Sequence, residues 1–195
     1  MKFHHVWRHR WIRVVSVGLA AIMAIATGWL LLVFPRFDQP RLDPPQHSDV
    51  IYLLGGERYG AGMGLQMLEE GLADALVLSW TDYNLPECLE GFHSGRPVVC
   101  IEPQPATTQG EAMVLPSLME DHGWSSVTVV TWPAHVPRTR LLFERCYSGD
   151  MRFGSTNYPY GRRERVVKAF YETISWAKAS ATPGCDDMLP FGLSG

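Results

Sequence analysis

The sequence predicts an α/β fold in three layers, a parallel sheet with helices on both faces, preceded by one N-terminal transmembrane helix. Two patterns carry this prediction. Residues 14–34 contain no charged side chain, and after them short apolar runs alternate with longer amphipathic stretches. Alternating strands and helices are typical of βαβ units, which build parallel sheets. In 195 residues, of which 46% are hydrophobic and 19% charged, the pattern fits one packed domain rather than a disordered chain.

The N-terminal segment has the properties of a membrane anchor. Residues 1–13 carry four basic and no acidic side chains. Residues 14–34, at about 1.5 Å per residue, are long enough to cross a hydrocarbon core of about 30 Å. The positive-inside rule then predicts a cytoplasmic basic N-terminus and an extracytoplasmic remainder. We therefore expect a single-pass protein of the plasma membrane.

A cleaved secretory signal is the alternative to an anchor. The tripeptide Ala24-Ile25-Ala26 has the small-x-small form that signal cleavage needs. The apolar run continues from there to Phe34, further than a signal peptide requires, which favours the uncleaved anchor. Both alternatives export the rest of the chain.

The charge of the exported part argues against nucleic acid as a partner. The whole chain has a net charge of −3, and four of its 17 basic residues lie in residues 1–13, which contain no acidic residue, so the remainder is near −7. Such a domain has no broad basic surface for a phosphate backbone. The expected partners are the plasma membrane, through residues 14–34, and an anionic small-molecule or lipid-linked ligand.

The exported part divides into three segments. Four prolines in residues 35–48 predict a stiff spacer, which is followed by an α/β domain over residues 49–180 and an irregular tail over residues 181–195. Strands are predicted at residues 50–54, 75–79, 97–101 and 127–131, and helices at about 60–71, 108–122, 136–147 and 162–179. The last helix has an apolar stripe that we expect to pack on the sheet, formed by Val166, Phe170, Ile174 and Ala177.

The four cysteines all lie in the exported part, where an oxidising compartment favours disulfides. Four cysteines allow three pairings, and the sequence alone does not select one. We favour Cys88 with Cys100, which closes a short loop, and Cys146 with Cys185, which ties a helix to the tail. The exported part has no CxxC or HxxxH spacing, so no metal site is predicted there.

Glycine and polar residues follow the first two predicted strands, at the sheet edge where α/β proteins bind ligands. Gly55 and Gly56 would expose backbone amides, and Arg58 would offer a guanidinium to an anionic oxygen; a tight turn with a solvent-facing arginine is the alternative. Ser79 ends the second strand, either as a ligand contact or only as a strand terminator. It lacks the GxSxG context of a hydrolase nucleophile.

The third strand leads into a polar segment before the next helix. Thr108 and Glu111 have the spacing of a capping box, in which their side chains would bind free N–H groups of the helix. Glu102 and Thr107 have less structural reason to be there, and the helix N-terminus would favour an anion. Glu102 and Glu111 are therefore candidate proton-transfer residues, and Thr107 and Thr108 are candidate ligand contacts.

The fourth strand leads into a second such junction. Pro137 suits the first turn of a helix, which puts His135 at the cap and Arg138 one turn inward. His135 is either a satisfied polar residue or, with Arg138 and a nearby glutamate, part of an acid/base or phosphate-binding set. The last helix begins with three arginines that form a solvated basic face or contact an anionic lipid or substrate, namely Arg162, Arg163 and Arg165.

Taken in order, these motifs resemble the YdcF/SanA/ElyC-like family, bacterial envelope-associated proteins with a domain of unknown function. The resemblance covers about residues 49–155. The similar segments are DVIYLLGG at 49–56, GLADALVLS at 71–79, Glu102 with TTQGEA at 107–112, and VVT at 129–131 leading to HVPR at 135–138. The TQGE segment is similar to an actinobacterial variant. The chain departs from the family at Trp80-Thr81, where two glycines are usual, and at Trp132, where a small polar residue is usual.

The resemblance implies a Rossmann-like domain outside the plasma membrane with a role in maintaining the cell envelope or cell wall. Cytoplasmic relatives are linked to S-adenosylmethionine, which an exported domain would rarely meet, so no cofactor is expected. The expected function is to bind or process a phosphate-bearing envelope precursor; if the protein is an enzyme, we expect a hydrolase or transferase that acts on a phosphorylated or lipid-linked precursor. The alternative is a non-catalytic ligand-binding or scaffolding module of the envelope.

In the enzyme hypothesis each candidate residue has a role. Gly55, Gly56 and Arg58 would bind the anion, and Arg138 would stabilise developing negative charge. Glu102 or Glu111 would move protons together with His135.

Overall fold

The N-terminal segment is helical from Phe3 to Asp38. The computed structural model describes residues 3–55, 60–79, 85–157 and 159–186, and the side chains from residue 11 onward except that of residue 12. Helix α1 (Phe3–Gly28) continues through a π-helical turn (Trp29–Val33) into α2 (Phe34–Asp38). The stretch Arg13–Asp38 contains 18 consecutive residues with a mean hydropathy of 2.3, so it is long and apolar enough either to span a membrane or to serve as a signal sequence.

The π-helical turn has a cause in the sequence. Pro35 lies in the first turn of α2 and has no N–H to donate to the carbonyl of the preceding turn. The chain widens there, and the Phe34 N–H donates to the Trp29 carbonyl five residues earlier. The helix therefore passes the proline without ending.

A six-stranded, mostly parallel sheet forms the centre of the α/β domain. Its strands are β1 (Ser48–Leu53), β2 (Ala73–Ser79), β3 (Phe92–His93), β4 (Arg96–Ile101), β5 (Ser126–Thr131) and β6 (Asp150–Ser155). Their order is β3-β4-β2-β1-β5-β6, and only the β3–β4 pair is antiparallel. All four predicted strands are confirmed. The sequence did not indicate β3 and β6, because β3 has two residues and β6 is a polar edge strand.

In the described part of the chain five helices follow the N-terminal helix, and all but the last connect these strands. They are α3 (Gly60–Glu69), α4 (Pro86–Glu90), α5 (Thr108–His122), α6 (Val136–Cys146) and α7 (Arg162–Ser180), with a short 3-10 turn (Pro133–His135) before α6. The four predicted helices are confirmed, and α4 is an addition. Along β1, Val50 and Tyr52 join an apolar cluster with residues of α5 and α6, whereas Ile51 and Leu53 join another that includes Leu68 of α3. Both sides of β1 are therefore buried.

The strand order locates the edge where a ligand can bind. From β1 the chain moves outward through β2 to β4, and it then returns to the other side of β1 as β5 and β6. The connections that leave β1 and β5 run in opposite directions, which opens a crevice at their carboxyl ends. Leu54 and Gly55 follow β1 there, and Trp132 follows β5.

The predicted packing of the last helix is wrong. Phe170 and Ile174, in the stripe expected to face the sheet, are 55% and 56% exposed, and Val166 and Ala177 are exposed as well. The buried residues of α7 are Ala169 and Glu172. Helix α7 packs chiefly on α6 and on α2. Because α5 and α6 already cover the sheet face that includes Val50 and Tyr52, no apolar surface of β1 is left there for α7.

Both favoured disulfides are present. Cys88 of α4 pairs with Cys100 of β4 at a Cα–Cα distance of 5.5 Å, and Cys146 at the end of α6 pairs with Cys185 at 4.9 Å. The tail is also bound to α5, because the Gln109 Nε2 donates to the Cys185 carbonyl at 2.6 Å. The segment around Cys185 is thereby attached to the end of α6 and to the start of α5.

Candidate functional site

The first turn of α5 brings a carboxylic acid to the carboxyl ends of β1 and β2. Thr107 caps the helix by accepting the Gly110 N–H at 3.1 Å, so the capping box predicted from Thr108 and Glu111 does not form. Glycine is required at position 110, because a Cβ atom there would lie 1.9 Å from the Pro105 carbonyl oxygen. With Thr107 as the cap, the Glu111 side chain is directed to other partners.

Glu111 is buried and bound from two strands. Its Oε1 accepts the Ser79 hydroxyl at 2.6 Å and the Gly55 backbone N–H at 3.2 Å. The Tyr52 hydroxyl donates to the Glu111 carbonyl at 3.1 Å, which holds the same turn of α5 against β1. Glu111 thus lies where the sequence predicted ligand contacts, with Gly55 and Ser79 as its own hydrogen-bond donors.

Burial raises the pKa of Glu111 to about 7, although hydrogen bonds from Ser79 and Gly55 and the charge of Arg138 act to lower it. A carboxyl group with this pKa exchanges its proton near neutral pH. This is the property that general acid–base catalysis requires of a side chain.

His135 lies in a different environment, between two threonines. Its Nδ1 is 2.9 Å from the Thr131 Oγ1, and its Nε2 is 3.1 Å from the Thr108 Oγ1. The Arg138 Nη1 donates to that same Thr108 oxygen at 3.1 Å, so the Thr108 hydroxyl is free to donate to Nε2. Nδ1 then carries the proton and donates to Thr131.

This assignment fits a histidine that stays neutral. Burial lowers the pKa of His135 well below its usual value, and the charges of Arg138 and Lys168 lower it further. A neutral ring with both nitrogens occupied stabilises the junction of β5, α5 and α6. This geometry favours a positioning role for His135 over the proton-transfer role expected from the sequence.

Arg138 is bound by side chains of two other helices, Thr108 of α5 and Glu172 of α7. It makes two hydrogen bonds to Glu172, from Nε to Oε2 at 2.7 Å and from Nη2 to Oε1 at 3.0 Å. The Glu172 side chain is 0% exposed, and its burial raises its pKa while Arg138 and Lys168 lower it. The ion pair joins α6 to α7. We call this set of side chains the internal polar network; it comprises Thr108, Thr131, His135, Arg138 and Glu172.

An open pocket of about 350 Å³ lies at the carboxyl ends of β5 and β6. Trp132 lines it, and the Trp132 ring centroid is 5.4 Å from that of His135, so the pocket adjoins the internal polar network. Lys168 also lines the pocket, and its Nζ is 4.3 Å from the Trp132 ring centroid and 4.6 Å from that of Tyr160. Polar lining is supplied by Ser155, Thr156 and Asn157.

The same pocket is lined by the end of the N-terminal helix. Phe37 and Asp38 of α2 contribute to its wall, together with Arg165 of α7, and the Arg165 Nε donates to the Asp38 Oδ1 at 2.6 Å. Phe37 is buried against Ala134 and Ala169. The pocket therefore lies at the junction of the sheet edge, α7 and the apolar N-terminal helix.

The remaining predicted site residues lie apart from these groups or outside the described residues. Glu102 is exposed, and no hydrogen bond joins it to Glu111 or to the internal polar network in the described part of the chain. Gly56 and Arg58 lie outside the described residues, so their predicted anion contacts stay predictions. Among residues 3–55, 60–79, 85–157 and 159–186 no cluster of three or more His, Cys, Asp or Glu side chains is arranged to hold a metal ion.

Sequence reasoning missed several residues that the structure brings into this region. Thr131 reads as an ordinary β-branched strand residue, and Lys168 and Glu172 read as exposed charges of the last helix. One signal was available in the sequence. Glu172 lies on the same helical face as the small residue Ala169, and a charged side chain on a buried face needs an oppositely charged partner.

The fold and the site define an α/β protein with a buried acid and an open pocket at the carboxyl ends of its parallel strands. No known protein-family model matches the chain, and no curated protein sequence matches it.

Proposed function

We propose that this is a membrane-anchored, extracytoplasmic protein of the bacterial cell envelope that binds a phosphate-bearing, lipid-linked precursor at the carboxyl ends of its strands. The apolar N-terminal helix and its basic flank support the anchor and its orientation. The two disulfides support an oxidising compartment for the domain. The YdcF-like resemblance of residues 49–155 supports the role in the envelope and is part of the proposal.

The pocket at the end of the N-terminal helix carries this proposal. Lys168 supplies positive charge beyond that of the paired Arg165 and Asp38, and Ser155, Thr156 and Asn157 supply groups that can hydrogen-bond to phosphate oxygens. Phe37 and Asp38 bring the pocket next to the segment that would leave the membrane. The phosphate of a lipid-linked ligand would thus lie in the pocket, and its lipid tail would lie beside the apolar N-terminal helix.

The three-layer, Rossmann-like arrangement of the domain is also part of the proposal. The parallel strand order with β1 at the centre, and the apolar clusters on both sides of β1, support a three-layer Rossmann-like arrangement. In that arrangement Ser79 ends a strand and Gly55 and Trp132 follow strands at the ligand-binding edge, as expected for one extended site.

We expect Lys168→Met to weaken binding of a short-chain polyprenyl phosphate by at least about tenfold, because a charge-assisted contact is worth about 1.5–3 kcal/mol. The measurement is isothermal titration calorimetry of the full-length chain in detergent micelles. Lys178→Met, on the same helix but not in the pocket lining, is the matched control and should bind as the wild type does.

A second ligand and a contradicting outcome complete this test. Inorganic phosphate should bind much more weakly than the polyprenyl phosphate if the lipid contributes, and equal affinities would reassign the pocket to free anions. Equal affinities of the wild type and Lys168→Met for the polyprenyl phosphate would contradict the proposal.

Turnover of the ligand is a second candidate function, and the geometry of Glu111 favours it. A carboxyl group with a pKa of about 7 at the ligand-binding edge can accept a proton from an attacking hydroxyl or water and return it to the leaving oxygen. Ser79 and the Gly55 amide orient the Glu111 carboxylate for this purpose. His135 and Arg138 would then act through position, by holding the first turn of α5.

If the protein is an enzyme, Glu111→Gln should lower phosphate release from the same polyprenyl substrate by at least about a hundredfold, which is the lower end of general acid–base contributions. Glu120→Gln, an exposed position on the same helix, should retain wild-type activity. Wild-type turnover in Glu111→Gln would exclude Glu111 as the proton carrier, and binding without turnover in the wild type would favour the binding module.

A further inference from the structure

Helix α7 presents an uncovered apolar face. We call Val167, Phe170, Tyr171 and Ile174 the α7 stripe; their i, i+3, i+4, i+7 spacing puts them on one side of the helix. They are between 46% and 59% exposed. Large apolar side chains are more stable when they are buried away from water, so an uncovered stripe of four marks an interaction surface.

The α7 stripe is continuous with the outer end of the N-terminal helix. The Trp29 ring lies edge-on to Phe170 at a centroid distance of 5.7 Å, and the Trp29 Nε1–H donates to the Thr173 Oγ1 at 3.3 Å. Arg165 pairs with Asp38 at the other end of this contact. Helix α7 is therefore attached to the last turns of the apolar segment and not only to the domain.

The depth of the Trp29–Phe170 contact in the membrane follows from the length of the helix. Trp11 and Trp29 are 18 residues apart, which is about 27 Å in an α-helix and close to the thickness of a hydrocarbon core. Tryptophan favours the two membrane interfaces. If residues 14–34 span the membrane, Trp29 lies about 7 Å inside their outer end, so that Trp29 and the Phe170 ring in contact with it lie in the outer leaflet.

The residues around the α7 stripe match an interfacial helix. Arg162 and Arg163 are exposed at the start of α7, and Tyr171 and Trp176 combine apolar rings with polar atoms. Helices that lie in the membrane interface combine an apolar face with basic and aromatic residues of this kind. The charges suit the headgroups of anionic lipids.

We propose that the α7 stripe is embedded in the outer leaflet of the membrane, at the boundary between headgroups and acyl chains, beside the anchor. This inference rests on the proposed anchoring by residues 14–34. It extends that proposal, because embedding α7 holds the pocket residues Arg165 and Lys168 at the level of the lipid headgroups. A lipid-linked ligand then reaches the pocket from within the leaflet.

Photocrosslinking tests the embedding directly. A benzophenone amino acid is placed singly at Ile174 in the α7 stripe, at Ile22 in the anchor, or at Ser117 on the exposed side of α5. The full-length protein is reconstituted in vesicles of phosphatidylcholine with 30% phosphatidylglycerol and irradiated, and the adducts are identified by mass spectrometry. All three positions are exposed in the structure, so the substitutions should leave the fold intact.

We expect lipid adducts at Ile22 and at Ile174, with at least about five times the yield found at Ser117. Lipid adducts at Ile22 together with only background at Ile174 would overturn the inference and leave the anchor standing. Adducts between two chains at Ile174 would overturn it in favour of a second copy as the occupant. An absence of lipid adducts at Ile22 would overturn the anchor and, with it, the embedding.

Discussion

Arg138→Met is expected to lower the free energy of unfolding by about 3–5 kcal/mol, the usual cost of removing one partner of a buried ion pair. The Glu172 side chain is fully buried, and both of its oxygens accept hydrogen bonds from Arg138. Without the guanidinium the carboxylate would have to remain charged in an apolar environment or take up a proton. Urea denaturation of the full-length protein in mild detergent, followed by tryptophan fluorescence, measures the loss.

A double variant separates the ion pair from the packing of the two side chains. Arg138→Met with Glu172→Met replaces the pair by apolar groups of similar length, and it should recover most of the lost stability because no buried charge is left unpaired. Arg165→Met is the matched control on α7; it should cost much less, because the Arg165 side chain is 42% exposed. A double variant no more stable than Arg138→Met would show that the pair does not behave as a buried salt bridge.

The contrast between α7 and the sheet shows what the sequence could predict. The strands β1, β2, β4 and β5 contain consecutive β-branched and aliphatic residues, a local pattern, and all four were predicted. The apolar spacing of α7 is equally clear, but the pattern does not say which apolar surface covers it. The packing of α7 depends on tertiary contacts: α5 and α6 cover β1, and Glu172 faces Arg138. A local pattern in the sequence does not contain this information.

For the candidate site, the sequence likewise predicted the location of residues but not the contacts of their side chains. Gly55, Ser79 and Glu111 were expected at the same edge of the sheet, because parallel strands end at one edge. In the structure Glu111 is hydrogen-bonded to both of the others. The environment of each side chain could not be predicted. His135 and Arg138 are one helical turn apart and looked like a reactive pair, yet the structure binds one to two threonines and the other to Glu172.

The pH dependence of stability is expected to identify Glu111 as an acid that titrates near neutrality. The pKa of Glu111 is about 7 in the folded protein against 4.5 for an ordinary glutamate, so between these two values the folded state holds a proton that the unfolded state has lost. The contribution of Glu111 to stability is therefore complete below pH 4.5 and is lost as the pH rises through 7. The shift corresponds to about 3 kcal/mol.

Other buried groups titrate as well, so the measurement is a difference between variants. The lowered pKa of His135 acts in the opposite direction, because protonation of the unfolded chain reduces stability as the pH falls below about 6.5. Glu111→Gln imitates the protonated acid and leaves His135 and Glu172 in place. Subtracting the two urea series at each pH cancels the groups that both proteins share.

The stability of Glu111→Gln relative to the wild type should rise by about 3 kcal/mol between pH 4.5 and 7 and change little at higher pH. Glu120→Gln, which alters an exposed carboxylate on the same helix, should run parallel to the wild type throughout. Parallel curves for Glu111→Gln and the wild type would show that Glu111 carries an ordinary carboxylate charge at neutral pH. A raised pKa measured in this way would give the proposed proton transfer its chemical basis without any knowledge of the substrate.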